Sequence, residues 1–118
     1  MLGAMDAAQA IADLTEISPQ IKEVAVIAAD GAVVGSNAPE NAAGRLADVA
    51  RRLVGEAERL RPGVAQLEAA TIAGSVFVVR DRDRLIAATT TPEPTVGLVF
   101  YDLKVCLRSV EEGEVAAP

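Results

Sequence analysis

One cysteine, one acid–arginine–acid triplet and one run of threonines are the features of this chain that could do chemistry. Cys106 is the single thiol. A nucleophilic thiol needs an accessible, electropositive setting in which to ionise. Cys106 instead falls on the helical stripe Val99, Leu103, Cys106 and Val110, so it is expected to be buried and unreactive. Asp81 and Asp83 flank Arg82, and paired carboxylates can serve acid–base work or hold a metal. The same triplet reads better as a solvated turn. Thr89, Thr90 and Thr91 have no base beside them and suit a strand. The chain has no histidine, which removes imidazole acid–base chemistry and imidazole metal ligands. No phosphate-binding P-loop motif occurs. The sequence therefore implies a protein that is not an enzyme, with no catalytic residue, no metal and no cofactor.

Composition narrows the class further. With 118 residues the chain has room for a single domain, residues 1–118, of which 1–4 and 113–118 are expected to be disordered. Hydrophobic residues make up 51% and charged residues 24%, a globular balance. The aromatics are only Phe77, Phe100 and Tyr101, while alanine fills about a fifth of the chain. The core must then be built from aliphatic side chains and close alanine contacts. A net charge of −6 works against nucleic acid as a partner. The apolar runs fall far short of the roughly 20 residues of a membrane span. The start carries Asp6 and no basic stretch, unlike a secretory signal. A lone cysteine fits a reducing compartment, so the expected location is cytoplasmic.

Any interaction surface must be positioned by the elements that hydrophobic periodicity outlines. Met5 to Ile17 carries apolar residues at helical spacing and stops at Ser18-Pro19. Lys22 to Ala29 reads as a strand apolar on both faces, which expects a layer above and below it. Asp30-Gly31 signals a type I′ hairpin turn, with Ala32 to Ser36 as the return strand. Glu40 to Leu60 has a clear helical period, its stripe formed by Leu46, Val49, Ala50, Leu53, Ala57 and Leu60. Arg61-Pro62-Gly63 ends it. Val64 to Ala73, Ser75 to Arg80 and Arg84 to Thr91 follow as strands, and a final helix begins beyond Thr95.

Two surfaces of the long helix stand out. Ala43, Ala47 and Val54, with Gly44, Arg51 and Glu58 beyond, form a small-residue flank that would let another backbone come close. Arg45, Asp48, Arg52, Glu56 and Arg59 form a charged outer face. The strand at Val64 to Ala73 has Glu68 as its one charge, so as an open edge it would invite pairing. Pairing with its own copy closes that edge with two-fold symmetry.

The order helix, strand, strand, helix, three strands, helix, with Asp30-Gly31 in the first hairpin, the Leu46/Val49/Leu53 helix and Gly97-Leu98-Val99 opening the last helix, resembles the roadblock family, relatives of the profilin and longin folds. The resemblance implies an α+β (α/β) fold, α-β-β-α-β-β-β-α, with a five-stranded antiparallel sheet between one long helix and the two terminal helices. It implies a homodimer whose long helices lie side by side and whose strands at Leu67, Ala69 and Thr71 pair across the two-fold. On that basis Ala43, Gly44, Ala47, Arg51, Val54 and Glu58 are expected at the dimer interface, with Arg51 and Glu58 meeting their counterparts. The resemblance further implies a regulator or scaffold for a Ras-like small GTPase, contacted through Arg45, Asp48, Arg52, Glu56 and Arg59. It would act without an arginine finger: Arg82 and Arg84 sit at a turn that also carries Asp81 and Asp83, which would repel a phosphate. Small size and alanine richness suggest a bacterial source. Two other classes fit the same outline: a structural adaptor in a larger complex, and a small-ligand sensor, the latter disfavoured by few aromatics.

Overall fold

The computed structural model describes residues 6–116. Helix α1 (Ala7–Ile17) starts at Asp6, whose carboxylate accepts the Gln9 N–H at 2.8 Å, a cap that contributes about 1 kcal/mol. Strands β1 (Ile21–Ile27) and β2 (Val33–Ser36) precede α2 (Glu40–Leu60). Strands β3 (Gln66–Thr71), β4 (Gly74–Asp81) and β5 (Arg84–Thr90) then lead into α3 (Val96–Ala116). The strands form one antiparallel sheet in the order β2-β1-β5-β4-β3. All eight elements expected from periodicity are present. Helix α3 continues to Ala116, past residue 113 where a disordered tail was expected. Residues 1–5, 117 and 118 lie outside the described residues, and with them the disorder expected at 1–4.

The inner strands β1 and β5, and much of β4, are apolar on both faces because both are covered. On one side α1 and α3 bury Val24, Val26, Phe77, Val79, Ile86 and Ala88. Phe77 meets Phe100 edge-on with ring centroids 4.9 Å apart, a geometry favoured by the ring quadrupoles. On the other side α2 packs on β1, β5 and β2. There Ala47 and Ala50 belong to one cluster with Ala25 and Ala87 of the sheet, so the helix backbone can approach the strands closely.

Two local expectations need correction. The β1–β2 connection is not a two-residue type I′ turn, because Ile27 pairs with Val33 across a bulge and five residues intervene. Gly31 alone there has positive φ (91°). Its N–H donates to the Ala28 carbonyl, and the Asp30 carboxylate accepts the Ala32 N–H. This is the longer hairpin loop with a left-handed glycine at its end.

The second correction concerns α2. Its buried residues are Ala43, Leu46, Ala47, Ala50 and Val54, while Val49 is 43% and Leu60 83% exposed. At 100° per residue the buried arc is turned by about 60° from the expected stripe. Ala43, Ala47 and Val54, expected at a dimer surface, therefore lie in the chain's own core. The reason is alanine-on-alanine packing, which seats the narrow side of the helix on the sheet and leaves the bulkier flank outside.

Candidate functional site

Cys106 and the threonine run are occupied structurally. Cys106 is buried, and loss of solvation, followed by the nearby Asp13 carboxylate, pushes its thiol up to about 11. It is an inert packing residue. The Thr89 hydroxyl accepts the Glu23 N–H, and the Thr90 hydroxyl accepts the Ser75 N–H and donates to the Thr91 carbonyl. Among the described residues no group of three or more acids and cysteines is placed to hold a metal ion. The same residues include no helix long and apolar enough to cross a membrane. The fold also presents two surfaces of different character on either flank of α2.

The first surface joins a strand edge to a helix flank. β3 has β4 as its one neighbour, so half of its N–H and C=O groups point away from the sheet. Leu67 and Ala69 alternate toward the α2 side of the sheet, opposite Val78 and Val76. Leu53, Leu67 and Val76 pack against the core cluster of that side but stay half-buried, because α2 lies over β2, β1 and β5 instead. The uncovered shelf of β4 and β3 is thus apolar, and Val49, Leu53 and Leu60 extend the exposed apolar arc along α2. At the tip of the β3–β4 hairpin Ile72 is 99% exposed. Sequence periodicity marks Val49, Leu53 and Leu60 correctly as one apolar arc but assigns them to the core.

The opposite flank of α2 behaves differently from its expected role. Arg51 lies with its guanidinium against Gly31, where an added Cβ would stand 2.5 Å from Nη1. Glu58 is tied down within its own chain: its carboxylate accepts the Gly63 and Val64 N–H groups and pairs with Arg80 at 3.0 Å. Within one chain, then, Arg51 and Glu58, which are expected to meet their counterparts in a second copy, already contact Gly31 and Gly63, Val64 and Arg80 respectively. Gly44 is exposed on the same flank, with open space where a Cβ would stand. The charged set Arg45, Asp48, Arg52, Glu56 and Arg59 is exposed on the outward face of α2, where Arg59 and Glu56 form a solvated pair at 3.5 Å of small energetic weight.

Glu58 gives this region a pH signature. Hydrogen bonds from Val64 and Gly63, then the charge of Arg80, hold its carboxyl below the ordinary 4.5. A carboxyl whose folded value is depressed stabilises the fold above its unfolded value, and that contribution disappears as pH falls through the folded value. The melting temperature should therefore drop on acidification below about pH 5, and Glu58→Gln should show a shallower drop over the same range. Equal slopes in the two proteins, followed by circular dichroism, would remove Glu58 from the account.

No protein-family model matches the chain, and no curated protein matches it. Solved structures do. A roadblock/LC7 domain from Streptomyces avermitilis is 18% identical with a TM-score of 0.81, 95% of this chain aligning with 100% of that one. The gliding protein MglB from Thermus thermophilus is 13% identical with a TM-score of 0.71, covering 99% of this chain and 94% of its own. An MglB with a tetrameric arrangement is 15% identical at a TM-score of 0.68, covering 96% and 93%. The chain has the roadblock/LC7 fold.

Proposed function

We propose that this chain is a non-enzymatic homodimer that binds a small Ras-like GTPase and modulates its nucleotide cycle or its localisation. The observation that carries the dimer is the open β3 edge, continuous with an uncovered apolar shelf and with the exposed side of α2. An isolated edge of this kind is an aggregation hazard that two-fold pairing removes. Leu67, Ala69 and Thr71 would lie along the strand seam, with Val49 and Leu53 packing between the paired helices. Gly44 and Arg51 fall on the other flank, and Ala43, Ala47 and Val54 support the interface from beneath. One solved MglB of the same fold has a tetrameric arrangement, so the fold is compatible with self-association.

The GTPase reading rests on the roadblock fold, whose family resemblance implies regulators of such partners. Its contact face would be Arg45, Asp48, Arg52, Glu56 and Arg59, which stay exposed on α2 and on the outside of such a dimer. The proposed setting is a bacterial cytoplasm. The experiment is affinity capture on the purified protein, then nucleotide hydrolysis and exchange assays on whatever GTPase is retained. Altered turnover at saturating protein is the expected result. A GTPase bound with unchanged turnover assigns the role to recruitment. Capture of a stable complex that lacks any GTPase overturns the reading in favour of a structural adaptor.

A further inference from the structure

A cleft of about 490 Å³ opens between the second half of α2 and the β4–β5 hairpin, on the flank of α2 away from Val49 and Leu53. Three arginines line it, each from a different element: Arg51 from α2, Arg80 from β4 and Arg82 from the hairpin turn. Val54 and Leu85 supply apolar surface between them, with Gly55 alongside. The acids of the lining are Glu58 and Asp83, so three cations face two carboxylates in a chain whose net charge is −6. Glu58 already serves Arg80, Gly63 and Val64. Arg51 and Arg82 form no ion pair or side-chain hydrogen bond among the described residues.

Two residues of this cleft are unusual choices for their positions in the chain. Gly55 sits inside the 21-residue helix α2, five residues before its end, where glycine weakens the helix relative to alanine. A Cβ on it would meet nothing within 4 Å, so its own chain has no use for the missing side chain. Arg82 is the first of two residues joining the paired Asp81 and Arg84, with φ of 60°; a two-residue hairpin turn requires positive φ there, and glycine would adopt it with less strain. Residues that go against a local preference concentrate at functional sites.

We propose that this cleft binds an acidic segment of a partner protein. Arg51 and Arg82 clasp its carboxylates, and Gly55 gives its backbone room to lie against α2. Guanidinium groups match carboxylates in a two-pronged geometry. Their spread along an open, partly apolar cleft lined also by Val54 and Leu85 suits an extended peptide with acidic and aliphatic side chains better than a compact phosphate. The inference is independent of the dimer and of the GTPase reading, because the cleft is complete within one chain.

The test is fluorescence anisotropy of a labelled hexapeptide of alternating glutamate and leucine, in about 150 mM salt, where screening beyond about 8 Å removes the repulsion of the distant acids. Arg51→Gln, Arg82→Gly and Gly55→Ala should each weaken binding at least fivefold. Lys22→Gln, on β1 outside the cleft, should leave it unchanged. Arg82→Gly and Gly55→Ala should melt no lower than the parent protein, which separates lost binding from lost folding. The proposal is overturned if the parent protein does not bind the peptide or if the cleft variants bind equally well. It is also overturned if a glutamine–leucine peptide binds as tightly. Displacement of the peptide by inorganic phosphate or by phosphatidylserine vesicles at lower concentration than by unlabelled peptide would overturn it too, assigning the cleft to another class of ligand.

Discussion

Val49→Glu should leave the fold intact and raise the dimer dissociation constant by about 100-fold or more, equivalent to about 2.7 kcal/mol. Val49 is 43% exposed on α2, so a glutamate there can reach water in the isolated chain, and exposed substitutions of this sort usually change stability by about 0.5 kcal/mol or less. In the proposed dimer the same position lies between paired helices, and two-fold symmetry brings two carboxylates into one desolvated seam. A buried charge without a partner is strongly destabilising, and here the neighbour is a like charge. Light scattering at micromolar concentration should report a monomer, while the circular dichroism spectrum stays that of the parent. A variant that remains dimeric with unchanged affinity would remove this flank from the interface. Ala47→Glu would not make the same test, because Ala47 is in the chain's own core and its replacement would unfold the protein rather than separate two copies.

The second large effect is expected at Gly74→Ala. Gly74 starts β4 with φ of 144°, a backbone conformation L-residues rarely adopt. A Cβ there would run into the backbone carbonyl oxygen of Thr90 in the neighbouring strand. Neither side can yield cheaply, since Thr90 belongs to β5, paired on both sides in the middle of the sheet. Strain of this backbone kind costs about 1–3 kcal/mol, and the displaced strand adds to it. A loss of about 3 kcal/mol would lower the melting temperature on the order of 10 °C. Gly44→Ala is the control: Gly44 is helical and a Cβ on it meets nothing within 4 Å, so that variant should melt at or above the parent. If the two alanine variants melt together, the close approach at Thr90 is not what requires glycine at position 74. Because Gly74 pairs with Thr71 at the closed end of the β3–β4 hairpin, Gly74→Ala should also loosen the strand edge on which the proposed dimer depends.

Much of this architecture is legible in the chain itself. The Glu40–Leu60 helix has the same bounds by periodicity and in the structure. The doubly apolar strands around Val24–Ile27 and Val76–Val79 announce a sheet covered on both faces, and the spacing of Cys106 from Val99 and Leu103 places it in the core. These inferences work because a helix or strand repeats its neighbours' directions over short distances, so a few residues suffice to show which of them can face the same way.

The sequence determined the elements, their order, the absence of histidine chemistry and the existence of an apolar arc on α2. It did not determine which side of that arc is buried. That was decided by Ala47 and Ala50 meeting Ala25 and Ala87, a fit between surfaces far apart in the chain that turns the helix and leaves Val49 and Leu60 outside. Tertiary structure also decided the company each charge keeps. Glu58 clamps Gly63, Val64 and Arg80 within its own chain, contacts that periodicity along α2 does not announce. Arg82, read beside Asp81 and Asp83 as a shielded turn residue, came to share a cleft with Arg51 and Arg80. Periodicity carries directions along one element, whereas electrostatic energy depends on distances between elements, and only the folded chain sets those distances.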